Sequence, residues 1–163
     1  MFDPSSPQVT PDESILLPAH KIPSYLDDAL TALGLHVEAR TSFITYVVLT
    51  HLVYQPFHYS IFFSYWLPSI MKHPHVALRF LPQEHYEAAA SMEVTPRPDV
   101  VTRIFMVARG LENEEAQREE WVEGSLRASQ PVEIWQKIVG MSLERALDPT
   151  VFRVLEWGGM FVN

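Results

Sequence analysis

The sequence has no cysteine. That excludes disulfides, thiolate zinc sites, iron–sulfur clusters and a cysteine nucleophile. Glycine is scarce, at six residues, and none sits in a phosphate-cradling loop or a G-x-S-x-G elbow. A nucleotide cofactor of the familiar kinds is not expected, and no other cofactor is implied. Positive charge is also short. Twelve Lys and Arg face 20 Asp and Glu, a formal net charge of −8. An acidic chain without a basic stripe is a poor match for phosphate backbones, so no nucleic-acid partner is expected. The first residues are acidic and rich in Pro and Ser, unlike a secretory signal. With no cysteine, this makes the cytoplasm the expected compartment.

The sharpest absence is local. Thr41 to Met71 contains no Asp, Glu, Lys or Arg, while charge is spread over the rest of the chain. Three readings compete. About twenty apolar residues can span a bilayer, so residues 46–67 are long enough for a single span. But Thr50, His51, Gln55, Pro56, His58 and Ser60 fall inside it, and no Lys/Arg cluster flanks it. Unpaired polar groups and a mid-span proline are costly in lipid, which argues against membrane insertion. A buried hairpin or helix pair turning at Gln55-Pro56 suits the aromatic and β-branched residues. The third reading is a translated intron covering residues 46–64. Thr45-Tyr46-Val47 can be encoded as AC-G-TAY-GTN, which contains a splice-donor signal. Ile61 to Ser64 can be encoded as a pyrimidine-rich run ending in AG, an acceptor signal. Removing the residues between joins Phe43-Ile44-Thr45 to Tyr65-Trp66-Leu67-Pro68 and gives a helix with one apolar face, whereas the insert has no steady period. This hypothesis is preferred to the buried pair.

At 163 residues and 47% apolar content, the chain is long and apolar enough for one folded domain. Residues 1–13 hold three prolines and two serines and are expected to be a disordered or loosely attached arm, followed by a single domain over 14–163. Ser14 to Pro18 is a short apolar run, an expected edge strand. Ile22 to Leu33 carries apolar residues at three- and four-residue steps and ends at Gly34, the pattern of a capped helix. A second helix should start near His36 or Val37. His75 to Leu81 and Val100 to Ala108 read as strands. Gln83 to Ser91 reads as a short helix. Asn113 to Ala128 reads as one charged helix with a narrow stripe of Trp121, Val122 and Leu126. Pro131 to Val139 and Ser142 to Leu147 are shorter helices. Phe152 to Trp157 is a final strand that Gly158-Gly159 should stop. Few strands interspersed with helices predict an α+β domain: a small, mostly antiparallel sheet with helices packed mainly on one face.

Three groups of residues carry candidate chemistry. His73-Pro74-His75 places two imidazoles at a spacing that shares one face of a strand. With His85, Glu84 or Glu156 as a third ligand, they could hold a divalent metal; the plainer account is a solvated junction, because no zinc motif is present. Arg79, Arg103 and Glu156 each sit inside an apolar strand, where a buried charge needs a partner. Together with His75 they define a candidate pocket in which an arginine grips a carboxylate or phosphate. The plainer account is outward-facing or mutually paired charge. Glu156 beside Trp157 has the chemistry of a general acid or base, but a strand end explains it as well.

Tyr65-Trp66-Leu67-Pro68, then Pro98-Asp99 with Arg103-Ile104-Phe105-Met106, then Glu156-Trp157-Gly158-Gly159 follow one another along the chain. In these motifs the sequence resembles a family of uncharacterised proteins of fungi and some bacteria, over most of Ile15 to Gly159. In relatives of that pattern a Phe-Ile-x-Tyr-Trp-Leu-Pro segment is continuous; here it is split between Thr45 and Tyr65. The resemblance implies no activity.

The function expected from these residues is a soluble binding or interaction module, with a protein as a possible partner, rather than an enzyme. The alternatives are a small enzyme or ligand-binding protein using a polar pocket on the sheet, and a single-span membrane protein through residues 46–67. If residues 46–64 are an insert, deleting them is expected to raise soluble yield and melting temperature, because exposed aromatic residues promote association. An unchanged or lower melting temperature would remove the support for the insert.

Overall fold

The computed structural model describes residues 2–45 and 70–162. The span, hairpin and insert readings of residues 46–67 therefore lie outside the described residues. So does the expected continuation of the second helix through Trp66 and Leu67. Among the described residues no helix is long and apolar enough to cross a membrane.

Four strands form one sheet in the order β1 (Ile15–Pro18), β2 (His75–Phe80), β3 (Val100–Leu111), β4 (Arg153–Val162). β1–β2 and β2–β3 are antiparallel, and β3–β4 is parallel. Seven α-helices are described: α1 (Ile22–Ala32), α2 (Val37–Thr45), α3 (Gln83–Ala89), α4 (Asn113–Ala116), α5 (Val122–Arg127), α6 (Ile134–Val139) and α7 (Leu143–Leu147). The α+β class read from the pattern is the class observed. The parallel pair comes from the long connection between β3 and β4, which carries α4 to α7. Strands joined that way can lie side by side in the same direction, as a tight hairpin cannot.

Strand alternation divides the core. Val76, Leu78 and Phe80 of β2 with Ile104, Met106 and Ala108 of β3 face one side, where α1, α2 and α6 cover them with Leu26, Leu30, Phe43, Trp135 and Val139. Leu16, Ala77, Val107 and Leu111 face the other side. Helices do pack mainly on the first face. The second face is closed differently, by Phe2, Val9 and Trp121. The expected loose arm thus brings Phe2 and Val9 into buried positions. Both are apolar residues among prolines and serines, and a covered sheet face repays their ordering.

The connection after β3 wraps the β1 edge. Trp121 is buried on the second face and Trp135 on the first, with α5 lying along β1 between them. Gly124 brings α5 so close that a Cβ there would stand 3.2 Å from the Ser14 carbonyl oxygen. Arg127 donates to the carbonyls of Ser14 (2.8 Å) and Pro11, so unpaired backbone next to the edge strand is satisfied. This wrapping also explains why Asn113 to Ala128 is not one helix. Arg118 is extended, at φ −66° and ψ 147°, and a 3₁₀ turn over Glu119–Trp121 swings the indole inward. Val122 and Leu126 are left exposed, so the expected stripe reduces to Trp121 alone.

β4 runs through Gly158-Gly159 rather than stopping there. The two glycines sit opposite Phe105 and Met106 of β3. A Cβ on Gly158 would lie 3.4 Å from the Phe105 ring, and one on Gly159 would lie 3.2 Å from the Met106 carbonyl. Their role is room for bulky neighbours. Two other glycines do end helices, Gly34 at φ 79° and Gly140 at φ 77°, in the left-handed region that favours glycine.

Trp135 ties the layers together. It packs edge-on against Phe80 at 5.1 Å, and its indole N–H donates to the Tyr25 hydroxyl at 2.8 Å. Trp135→Ala is expected to cost about 3–5 kcal/mol in chemical denaturation, the range for deleting a core aromatic. Tyr25→Phe, which leaves the buried N–H unpaired, is expected to cost ~1–3 kcal/mol. A Tyr25→Phe protein as stable as wild type would mean that the N–H finds another acceptor.

Candidate functional site

The residues singled out in the strands lie on the second face of the sheet. Arg103 and Glu156 are register partners on the parallel pair β3 and β4. The pairing continues residue by residue, Ile104 with Trp157, Phe105 with Gly158 and Met106 with Gly159. The Arg-Ile-Phe-Met and Glu-Trp-Gly-Gly segments are thus two halves of one ladder.

Arg103 is only 4% exposed, so its charge must be answered inside the protein. Nε donates to Glu156, while Nη1 donates to Glu87 and to the Ala90 carbonyl at 2.7 Å. The guanidinium also lies 4.2 Å from the centre of the Tyr86 ring, a cation–π contact. Tyr86 donates its hydroxyl to the second oxygen of Glu156 at 3.2 Å and packs on Phe105 at 4.6 Å. Even the backbone N–H of Arg103 is taken, by the Gln83 side chain at 2.7 Å. β2 has ended by this point, so Gln83 supplies the acceptor a neighbouring strand would have offered. Burial alone would lower the pKa of Arg103; hydrogen bonds and charge from Glu156, then Glu87, outweigh it and raise the pKa.

Arg79 lies on the same face but apart from this cluster. It stands opposite Val107, four residues along β3 from Arg103, ~13 Å at the rise of an extended strand. Its partner is Glu13 of the N-terminal arm, and its Nε is buried without a partner among the described residues. Burial lowers its pKa. A shallow recess there holds Asp3, Gln8 and Thr10, with Phe2 on one side. His75 is further along β2, opposite Leu111, with a buried Nδ1 that has no partner among the described residues. The four residues expected to share a pocket therefore share a face. Only Arg103 and Glu156 touch, and they close on each other.

The histidine pair is separated by the sheet. His75 faces the second side with Leu111. The His73 ring lies over Gly110, whose strand partner Val76 belongs to the first-face core, and stacks on Phe161 at 5.8 Å. The two-residue spacing fails as a shared face because His73 precedes the strand, which starts at His75. His73 Nδ1 is 3.2 Å from Glu112, and His85 is 3.8 Å from its neighbour Glu84. Among the described residues no three His, Cys, Asp or Glu side chains are placed to hold a metal.

Tyr86, Glu87 and Gln83 were missed as partners of Arg103. Gln83, Tyr86 and Glu87 are spaced i, i+3 and i+4, one face of α3, and all three touch Arg103, as does the carbonyl of Ala90 just past the helix end. The periodicity was there to find, but it runs through polar residues.

A larger hollow opens on the first face at the start of β3 and β4, about 530 Å³ in volume. Leu33, Leu147, Phe152 and Leu155 form much of its wall, and Thr102, His36 and Arg153 bring polar groups to it. None of these seven was singled out for chemistry in the sequence.

No protein-family model, curated protein or solved structure matches the chain.

Two consequences are measurable. Arg103→Met is expected to cost about 2–4 kcal/mol, the range for charged hydrogen bonds in a buried pair, moderated because Glu156 and Glu87 are 34% and 49% exposed and can turn to water. A loss below ~0.5 kcal/mol in chemical denaturation would mean that the cluster contributes no more than an exposed ion pair. The second concerns alkali. Burial first, then the charge of Glu156, raises the Tyr86 pKa above the ordinary value of 10.0. A raised folded-state pKa adds stability below pH 10 that is lost as pH rises through the folded value. Tyr86→Phe should therefore lose stability less steeply above pH 10 than wild type. Equal slopes would place the Tyr86 hydroxyl in a water-like environment.

Proposed function

We propose that the chain is a cytoplasmic binding or interaction module rather than an enzyme, and that the charges inside its strands are structural. The observation carrying this reading is the closure of Arg103. Its Nε, its Nη1 and its backbone N–H already donate within the fold, and one face of its guanidinium is covered by Tyr86. A catalytic or anion-binding arginine needs donors aimed at a vacant position. Arg79 is held by Glu13, and His75 lies at the far end of the sheet face, so among the described residues Arg79, Arg103, Glu156 and His75 do not face one another across an open space. A protein partner has separate support. Val122 and Leu126 stand one turn apart on α5, each more than half exposed, on a helix whose buried side is already used by the sheet edge.

Membership in the family with the Tyr-Trp-Leu-Pro, Pro-Asp…Arg-x-Phe-Met and Glu-Trp-Gly-Gly motifs is part of the same proposal. It is supported by the register that lays the last two motifs side by side. Such pairing gives those residue types a reason to occur together that needs no active site.

The test is an NMR titration of the arginine Nε–H signals with acetate and with inorganic phosphate. The Arg103 signal is expected to stay unmoved at millimolar anion and to exchange slowly with solvent. A saturable shift of that signal would restore the pocket reading and, with it, the small-enzyme alternative.

A further inference from the structure

We propose that the hollow at the start of β3 and β4 binds a small carboxylate with an apolar body. The assignment rests on the binding reading above and gives that reading a ligand class.

Its volume, about 530 Å³, falls within the ~300–1,000 Å³ range of small-molecule sites. Its walls are aliphatic and aromatic, and Leu147 and Phe152 remain exposed at its margin, at 53% and 43%. A bound apolar body would cover both.

Thr102 is one of the polar residues in the lining. On its side of β3 it is followed by Ile104, Met106 and Ala108, all fully buried and apolar. Packing alone calls for valine or isoleucine in that row. Instead there is a threonine, 5% exposed as a residue, that lines the hollow. A hydroxyl on the wall of the hollow can donate to a ligand oxygen.

The remaining polar groups are donors. Arg153 spends Nη1 on the Ala146 carbonyl at 2.8 Å, which leaves further N–H groups on the same fork. His36 accepts the Ala39 backbone N–H on Nδ1 at 3.1 Å, so its own proton resides on Nε2. The same Nδ1 is 3.1 Å from Glu38, but a nitrogen that accepts a backbone N–H carries no proton to give a carboxylate; that contact is therefore no ion pair. α2 begins at Val37, directly after His36, and adds the positive end of a nine-residue helix. No carboxylate lines the hollow among the described residues. Asp148, in the turn before β4, is engaged by the N–H and hydroxyl of Thr150 at 2.9 and 2.6 Å. The Arg153 fork, the His36 N–H, the start of α2 and an apolar lining together fit a monocarboxylate.

The experiment is calorimetric titration of the full chain with 3-phenylpropanoate and with decanoate, each compared with its methyl ester. At least one acid is expected to bind, its ester about tenfold or more weaker, the ratio for losing one charged hydrogen bond. Thr102→Val and Arg153→Met should weaken the acid by a similar factor while leaving the circular dichroism spectrum unchanged. The amide signals of Thr102 and Arg153 should shift on binding in the wild type. If neither acid binds, or if both variants bind as wild type does, the assignment is overturned and the binding reading based on Arg103 stands. If a bound acid is chemically converted, as mass spectrometry would detect, the hollow keeps its ligand class and the non-enzymatic reading falls.

Discussion

A single buried cation organises one half of this protein. Arg103 lies mid-strand at 4% exposure, and a charge there is tolerable only if the surroundings supply opposite charge and acceptors. Those surroundings come from two separate places in the chain, β4 and the stretch Gln83 to Ala90. Glu156 arrives because β4 lies parallel to β3 in a register that sets the two residues side by side. Glu87, Tyr86 and the Ala90 carbonyl arrive because α3 turns one face towards the same strand. Gln83 starts that helix and, besides accepting the Arg103 N–H, donates to the Gly140 carbonyl at 3.1 Å. The ion cluster thereby joins the strand pair, the helix after β2 and the end of α6.

The rest of the domain follows from sealing a short sheet. β1 has four residues and is an edge strand. An uncovered edge is a template for unwanted pairing, and here α5 and the Arg127 side chain lie against it. Helices α1, α2 and α6 cover the first face. The second is covered by smaller pieces, Phe2 and Val9 from the arm and Trp121 from a 3₁₀ turn. Arg79 and Glu13 join that arm to β2. The polar groups of the second face are largely consumed in holding the cover on. The hollow at Thr102 has a different character, since its polar groups are not turned on one another.

Local signals were reliable wherever short-range physics decides. α1 and the glycine that ends it, the start of α2, β2, the first half of β3 and the Pro131 helix can be read from periodicity, caps and β-branched runs. So can the α+β class. The signals failed where a distant partner outweighed the local one. Gly158-Gly159 reads as a stop, but Phe105 and Met106 across the ladder make it a fitted continuation. Asn113 to Ala128 reads as one helix, but burying Trp121 around the sheet edge bends the chain at Arg118. His73 and His75 read as a pair from their two-residue spacing alone, although the strand starts at the second.

The sequence by itself determined the exclusions and the inventory. No cysteine, few glycines and an acidic balance are matters of count, and no fold can undo them. It also determined that Arg79, Arg103 and Glu156 would lie in apolar strands, because alternation and propensity act over a few residues. Only the tertiary structure decided which of them meet. Register between β3 and β4, the landing place of α3 and the path of the long crossover are set by side chains far apart in sequence, so Arg103 finds Glu156 while Arg79 finds Glu13. The same long-range packing set Thr102 beside an open hollow, because a gap between elements belongs to no one segment of the chain.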